Sequence, residues 1–169
     1  RAWKAHPFDA IVAINNAWQV REDWTYLIHP EDLPAGRLPV SIDLQRQTIV
    51  TAANYVPVQN RFGGFVYGGG TMAFTAGYWA LGELRPDVLA FLGCDMIYDS
   101  KRTHFYGHGT ADPLRDDITL QSLEAKSARL MLFAALQECL CVNLSAQDRS
   151  RLVFDRHDLD EVASWDQRG

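Results

Sequence analysis

The sequence predicts an α/β fold, a single Rossmann-like domain with a mostly parallel central sheet flanked by helices. Three observations carry this. Short, β-branched apolar runs alternate along the chain with longer apolar segments. The run Val88–Leu92 (VLAFL) is apolar without a break, the pattern of a strand buried on both faces of a parallel sheet. The 169 residues, 47% hydrophobic and 22% charged, are too apolar for a disordered chain. They also match one domain of the usual ~100–200 residues.

Asp9–Asn15 (DAIVAIN) reads as the first buried strand, ending in a polar loop at two asparagines. Trp24–Ile28 (WTYLI) is the second, closed by His29-Pro30, and Pro30, Pro34 and Pro39 then impose a loop or broken helix. Thr48–Ala52 (TIVTA) is the third strand. A glycine-rich loop, Arg61–Gly70 (RFGGFVYGGG), leads into Thr71–Leu84, which is apolar on most sides and so a buried helix. Arg85-Pro86-Asp87 stops that helix, and Val88–Leu92 is the fourth strand.

Cys94–Asp117 lacks apolar periodicity, and a loop of that length in a compact domain is functional or disordered. Asp116 or Asp117 is placed to cap a helix from Ile118 to about Glu138, with Leu120, Leu123, Leu130, Met131 and Ala134 near one face. Leu140–Leu144 (LCVNL) is the last strand. Arg151–Phe154 and the polar segment to Gly169 read as peripheral. Trp18, Trp24, Trp79, Cys139 and Cys141 fall in apolar segments and read as core.

Composition excludes several roles. A net charge of −5 without a basic run gives no surface for a phosphate backbone, so no nucleic-acid partner is expected. No apolar stretch approaches the ~20 residues of a membrane span, and no secretory leader is read. Three cysteines form neither a paired framework nor a metal-ligand pattern, which makes a reducing, cytoplasmic setting the default.

In parallel α/β sheets ligands bind outside the carboxyl ends of the strands. The polar residues there are Asn15 and Asn16, His29, Asp95, and Asn143 with Ser145. Gly68-Gly69-Gly70-Thr71 at a helix start could let backbone N–H groups meet an anion, or could simply be a tight entry turn. It is neither a Walker A motif nor a GxGxxG fingerprint. Asp95, with Tyr98 close behind, could bind a hydroxyl or orient a base; the local alternative is a carboxylate capping nearby backbone N–H groups. In His104-Phe105-Tyr106-Gly107-His108 the glycines and Pro113 disfavour a helix and hence an HExxH-type zinc site. A glycine-flanked His on a loop suits general-base chemistry. Asp158-Leu159-Asp160 matches the DxD metal motif formally, but no strand precedes it and it reads as a solvated helix face. No GxSxG elbow is present, and no metal site is expected.

The combination of a strand ending in Asn15-Asn16, a Gly-rich helix entry, a strand ending in Gly93-Cys94-Asp95, then Tyr98 and His104-Phe105-Tyr106-Gly107-His108 resembles the bacterial sialyltransferases of glycosyltransferase family forty-two. The resemblance spans about residues 9–145. It implies a Rossmann-like domain that transfers a sialic-acid-like sugar from a CMP-sugar donor with inversion, needing no metal or other cofactor. It places the general base at His108 and leaving-phosphate donors at Tyr98 and Tyr106. Donor contacts fall on Asn15, Asn16, His29, Gly69, Gly70, Thr71, Asp95 and His104. The partners implied are a nucleotide-sugar and a glycan acceptor, with peripheral membrane association and a homo-oligomer left open. Because the family begins with a strand and a nucleotide loop for which Arg1 onward has no counterpart, residues 1–169 are expected to be one such domain lacking its first strand. Two other readings stay open: a non-catalytic nucleotide- or glycan-binding relative, and a pterin pyrophosphokinase-like enzyme using ATP and Mg²⁺ on Asp95, Asp99 and Asp112.

Overall fold

Six short strands, all pairing in parallel, and the helices between them build the chain in a computed structural model, which describes residues 8–68, 71–97 and 122–165. Strands β1 (Val12–Ile14), β2 (Tyr26–Ile28) and β3 (Thr48–Val50) form one sheet in the order β1-β2-β3. Strands β4 (Val88–Phe91), β5 (Leu140–Asn143) and β6 (Asp155–Arg156) form a second in the order β4-β5-β6. Parallel pairing demands crossover connections: short 3-10 segments lie between β1, β2 and β3, the helix Leu123–Ala135 lies between β4 and β5, and the chain from 144 to 154 crosses to β6 without a helix.

The period of two along the first sheet decides what each side chain meets. Val12, Ile14, Tyr26, Ile28 and Val50 face the main core, whereas Ala13 and Leu27 face a smaller cluster with Trp24, packed by Trp18, Leu38 and Ile42. Both faces of β1 and β2 are therefore covered, which is why their sequences are apolar throughout.

Helix α1 (Ala52–Arg61) starts at Thr51, whose backbone N–H donates to the Asn54 side chain at 2.9 Å. Pro57 lies inside it and leaves one intrahelical bond unmade. A single turn, α2 (Phe65–Gly68), interrupts what the sequence reads as a loop over Arg61–Gly70. Helix α3 (Met72–Glu83) is the expected buried helix, with every residue from Ala73 to Leu81 buried. Thr71 caps it, accepting from the Phe74 N–H at 3.3 Å, and the chain leaves through Arg85 at φ 49 into Pro86. Helix α3 packs against β1 and β4 alike, as well as α1, α2 and α4. The core accordingly joins residues of both sheets, Ile28 and Val50 with Phe91 and Cys141, around Phe74, Tyr78 and Leu81.

Helix α4 (Leu123–Ala135) is shorter than the helix expected from Ile118 to Glu138. Ser122 has extended backbone and its hydroxyl accepts from the Ala125 N–H at 3.2 Å, so the cap is this serine rather than Asp116 or Asp117, which lie outside the described residues. Arg129 ties α4 to the preceding helices: its guanidinium lies 3.6 Å over the Tyr67 ring and donates to the Tyr78 hydroxyl at 2.9 Å.

The segment after β5 is not peripheral. Leu152 and Phe154 are buried, Phe154 stacks against Phe91 with ring centroids 5.0 Å apart, and β6 extends the second sheet before α5 (Leu159–Ala163). The apolar run Leu152-Val153-Phe154 is too short to stand out from the polar segment around it.

Candidate functional site

At the exit of β1 the chain turns sharply. Asn15 takes a left-handed conformation, φ 53, which Asn tolerates better than most residues, and Asn15–Val20 continue as a 3-10 helix. The side-chain carbonyl oxygens of Asn15 and Asn16 are both buried and accept no hydrogen bond among the described residues. An unsatisfied buried acceptor costs about 1–3 kcal/mol, so two adjacent ones at a strand exit call for a reason other than stability.

At the exit of β2, His29 is 9% exposed, and its backbone N–H donates to the Val50 carbonyl at 3.4 Å. Its ring Nδ1 lies 2.8 Å from the Pro30 carbonyl. A carbonyl can only accept, so Nδ1 carries a proton, and in the neutral ring Nε2 is the acceptor.

Thr71 spends its hydroxyl on the α3 cap. Just before it, the buried Gln59 amide donates to Thr75 Oγ1 at 3.3 Å, and that hydroxyl donates to the Gly68 carbonyl at 3.2 Å. A Cβ on Gly68 would lie 2.1 Å from Gln59 Nε2, so this glycine serves close packing. Gly69 and Gly70 lie outside the described residues, as do Tyr98, His104, Tyr106 and His108.

The exits of β4 and β5 hold the densest polar group. After β4 the chain turns through Gly93 at φ 71 and Met96 at φ 54. Between them sits Asp95, 8% exposed. Asn143 Nδ2 donates to Asp95 Oδ1 at 3.3 Å, and the Ser145 hydroxyl donates to Oδ2. Among the described residues, Asp95 takes its side-chain donors from the β5 exit. Asn143, 1% exposed, also approaches Ser150 Oγ at 3.1 Å, and its carbonyl oxygen accepts from the Ser145 N–H at 2.9 Å. The Arg151 N–H donates to the Asp95 backbone carbonyl at 2.9 Å, while its guanidinium pairs with both oxygens of Glu124 at 2.8 and 2.9 Å. That pairing holds the Glu124 carboxyl down to about 2.

The sequence pointed to Asp95, Asn143 and Ser145 by their place at strand ends, and the structure brings these three together. It joins neither Asn15 and Asn16 nor His29 to them by a hydrogen bond among the described residues. Ser150, Arg151 and Glu124 were missed. For Ser150 the polar run Ser145–Arg151 after β5 was the available signal, hidden by its resemblance to an ordinary surface loop.

The thiols take no part. Burial, with the Asp95 carboxylate adding to it, pushes Cys94 up to about 12; burial raises Cys139 to about 11 and Cys141 to about 12. Thiolates at those values are scarce at neutral pH. A cleft of about 410 Å³ runs between β3, α1 and α3 past Pro57, Trp79 and the Arg61–Glu83 ion pair, and none of the described candidate residues lines it. Among the described residues, no three His, Cys, Asp or Glu side chains are placed to hold a metal ion, and no helix is long and apolar enough to cross a membrane.

Chemically, the exits of β1 and β2 offer the amide oxygens of Asn15 and Asn16 and the imidazole of His29, and the exits of β4 and β5 a carboxylate at Asp95 held by amide and hydroxyl donors. Groups of this kind select ligands rich in N–H and O–H donors. Compared with known protein families, curated proteins and solved structures, the chain matches none.

Proposed function

We propose that the two parallel sheets are parts of one Rossmann-like domain that binds a CMP-activated, sialic-acid-like sugar at the carboxyl ends of its strands and transfers it to a glycan hydroxyl with inversion. The observation that carries the reading is the pair of buried carbonyl oxygens of Asn15 and Asn16 at the β1 exit, which accept no hydrogen bond among the described residues. Acceptors left empty at a stability cost suit the amine of a base or the hydroxyls of a sugar. The polar β4 and β5 exits, and the resemblance of the strand-end and His-aromatic motifs to family forty-two sialyltransferases, support the same reading.

In the reaction the acceptor oxygen attacks the anomeric carbon as the bond from that carbon to the CMP phosphate oxygen breaks, inverting the centre. His108, by resemblance the general base, takes the acceptor's proton. Tyr98 and Tyr106 donate to the departing phosphate, a role in which neutral donors stabilise charge that develops in the transition state.

A thermal-shift panel of CMP, UMP, GDP and ATP, each with and without Mg²⁺, tests the ligand class. At a hundredfold excess over Kd, CMP should raise Tm by about 5–10 °C without Mg²⁺. Asn16→Ala should lose that shift while leaving the ligand-free Tm unchanged or higher, because it deletes an acceptor and no hydrogen bond among the described residues. A response to ATP that needs Mg²⁺ would instead favour the pyrophosphokinase-like reading, and a lower ligand-free Tm in Asn16→Ala would mark that amide as structural.

A further inference from the structure

Asp95 is a buried carboxylate at the β4 exit, and the hydrogen bonds it makes among the described residues are all internal. Oδ1 takes the Asn143 amide, Oδ2 the Ser145 hydroxyl, and the backbone carbonyl takes the Arg151 N–H. One residue thus joins the exit of β4 to the exit of β5 and to the segment that feeds β6. The turn it sits in is conformationally demanding. Gly93 adopts positive φ freely, but Met96, at φ 54 and buried in the core, does so against its own Cβ. Residues held this way persist only where their surroundings over-determine them. The three contacts of Asp95, one position before Met96, supply that constraint.

We infer that Asp95 is a positioning residue: its carboxylate clips the β4 exit turn to Asn143 and Ser145, and a ligand at this edge is contacted by neighbouring groups rather than by Asp95 itself. The ligand's identity rests on the nucleotide-sugar reading above, whereas the clip rests on geometry alone. Asn in place of Asp95 removes the charge and leaves one oxygen for two donors, so both contacts lose the strength of an ionised acceptor and the Ser145 hydroxyl has to accept where it had donated. Ala at 145 removes the hydroxyl, and Thr keeps it.

The experiment measures the CMP Kd by calorimetry for Asp95→Asn, Ser145→Ala, Ser145→Thr and the Asp95→Asn/Ser145→Ala double variant. Each of the first two should weaken CMP about tenfold, the loss expected for a hydrogen bond to a charged group. The double variant should be no weaker than the worse single one, since both act through one contact, and Ser145→Thr should stay within about twofold of wild type. Loss of binding in Asp95→Asn with Ser145→Ala unaffected would mean that the carboxylate touches the ligand, and would overturn the inference. Should wild type fail to bind CMP, the nucleotide reading falls, and hydrogen exchange at the Met96 and Ile97 amides decides on the clip. Exchange sped by a common factor in Asp95→Asn and Ser145→Ala, but not in Ser145→Thr, upholds it. Equal exchange in all four proteins overturns it.

Discussion

Glu124 and Arg151 meet through two parallel hydrogen bonds, a geometry that favours the ionised carboxylate strongly enough to hold its pKa at about 2. Because the folded value lies below the unfolded one of 4.5, the pair contributes its stability above pH 4.5 and loses it as pH falls toward 2. The Glu124 side chain is 48% exposed, so water screens most of this and the contribution is about 1 kcal/mol or less. Urea titrations between pH 6 and pH 2 should show wild type losing that increment relative to Glu124→Gln, and an unchanged difference across the range would contradict the pairing. Individual side chains were legible to different degrees. Asn15, Asn16, Asp95, Asn143 and Ser145 could be picked out because each follows an apolar run at a strand's carboxyl end. Glu124 and Arg151 could not, since an ion pair between residues 27 apart leaves no local pattern. Thr71 was legible as a residue at a helix entry, but only the structure shows its hydroxyl given to the cap.

Helix α3 decides how closely the layers approach. Its Gly77 faces α4 and β4: an added Cβ would lie 2.7 Å from Leu130 Cδ2 and 3.1 Å from the Phe91 ring tip. Replacing Gly77 by Ala gains about 1 kcal/mol of helix propensity, but overpacking typically costs about 1–3 kcal/mol. Leu130 is fully buried and cannot swing aside, so overpacking wins. Gly77→Ala should lose up to about 2 kcal/mol in urea unfolding. Adding Leu130→Ala should cost less in that background than in wild type; a stabilised Gly77→Ala would show that the neighbours yield. Elements of strong pattern were the ones readable in advance: α3 from its apolar run and proline stop, β4 and β5 from unbroken apolar stretches. Helix α1 carries Pro57 and polar residues in its interior, which mask it. Strand β6 has only two residues, and α4 starts at a serine cap inside what periodicity alone extends backwards to Ile118.

Across the molecule, the two parallel sheets share one core around α3, and their carboxyl ends carry the Asn15 and Asn16 carbonyl oxygens that accept no hydrogen bond among the described residues, the imidazole of His29 and the Asp95 clip. Parallel α/β character was readable because strands buried on both faces must be apolar throughout. The division of the described strands into two three-stranded sheets was not, because pairing is set by contacts remote in sequence. The cleft beside Pro57 and Trp79 is the alternative place for a small ligand to settle. Amide chemical-shift mapping during a CMP titration separates the two most directly. The account predicts shifts concentrated at Asn15 and Asn16, Gly93–Ile97 and Asn143–Ser145, with Asn54–Arg61 and Trp79–Glu83 unmoved. Shifts confined to those last two segments, or none at saturating CMP, would contradict it.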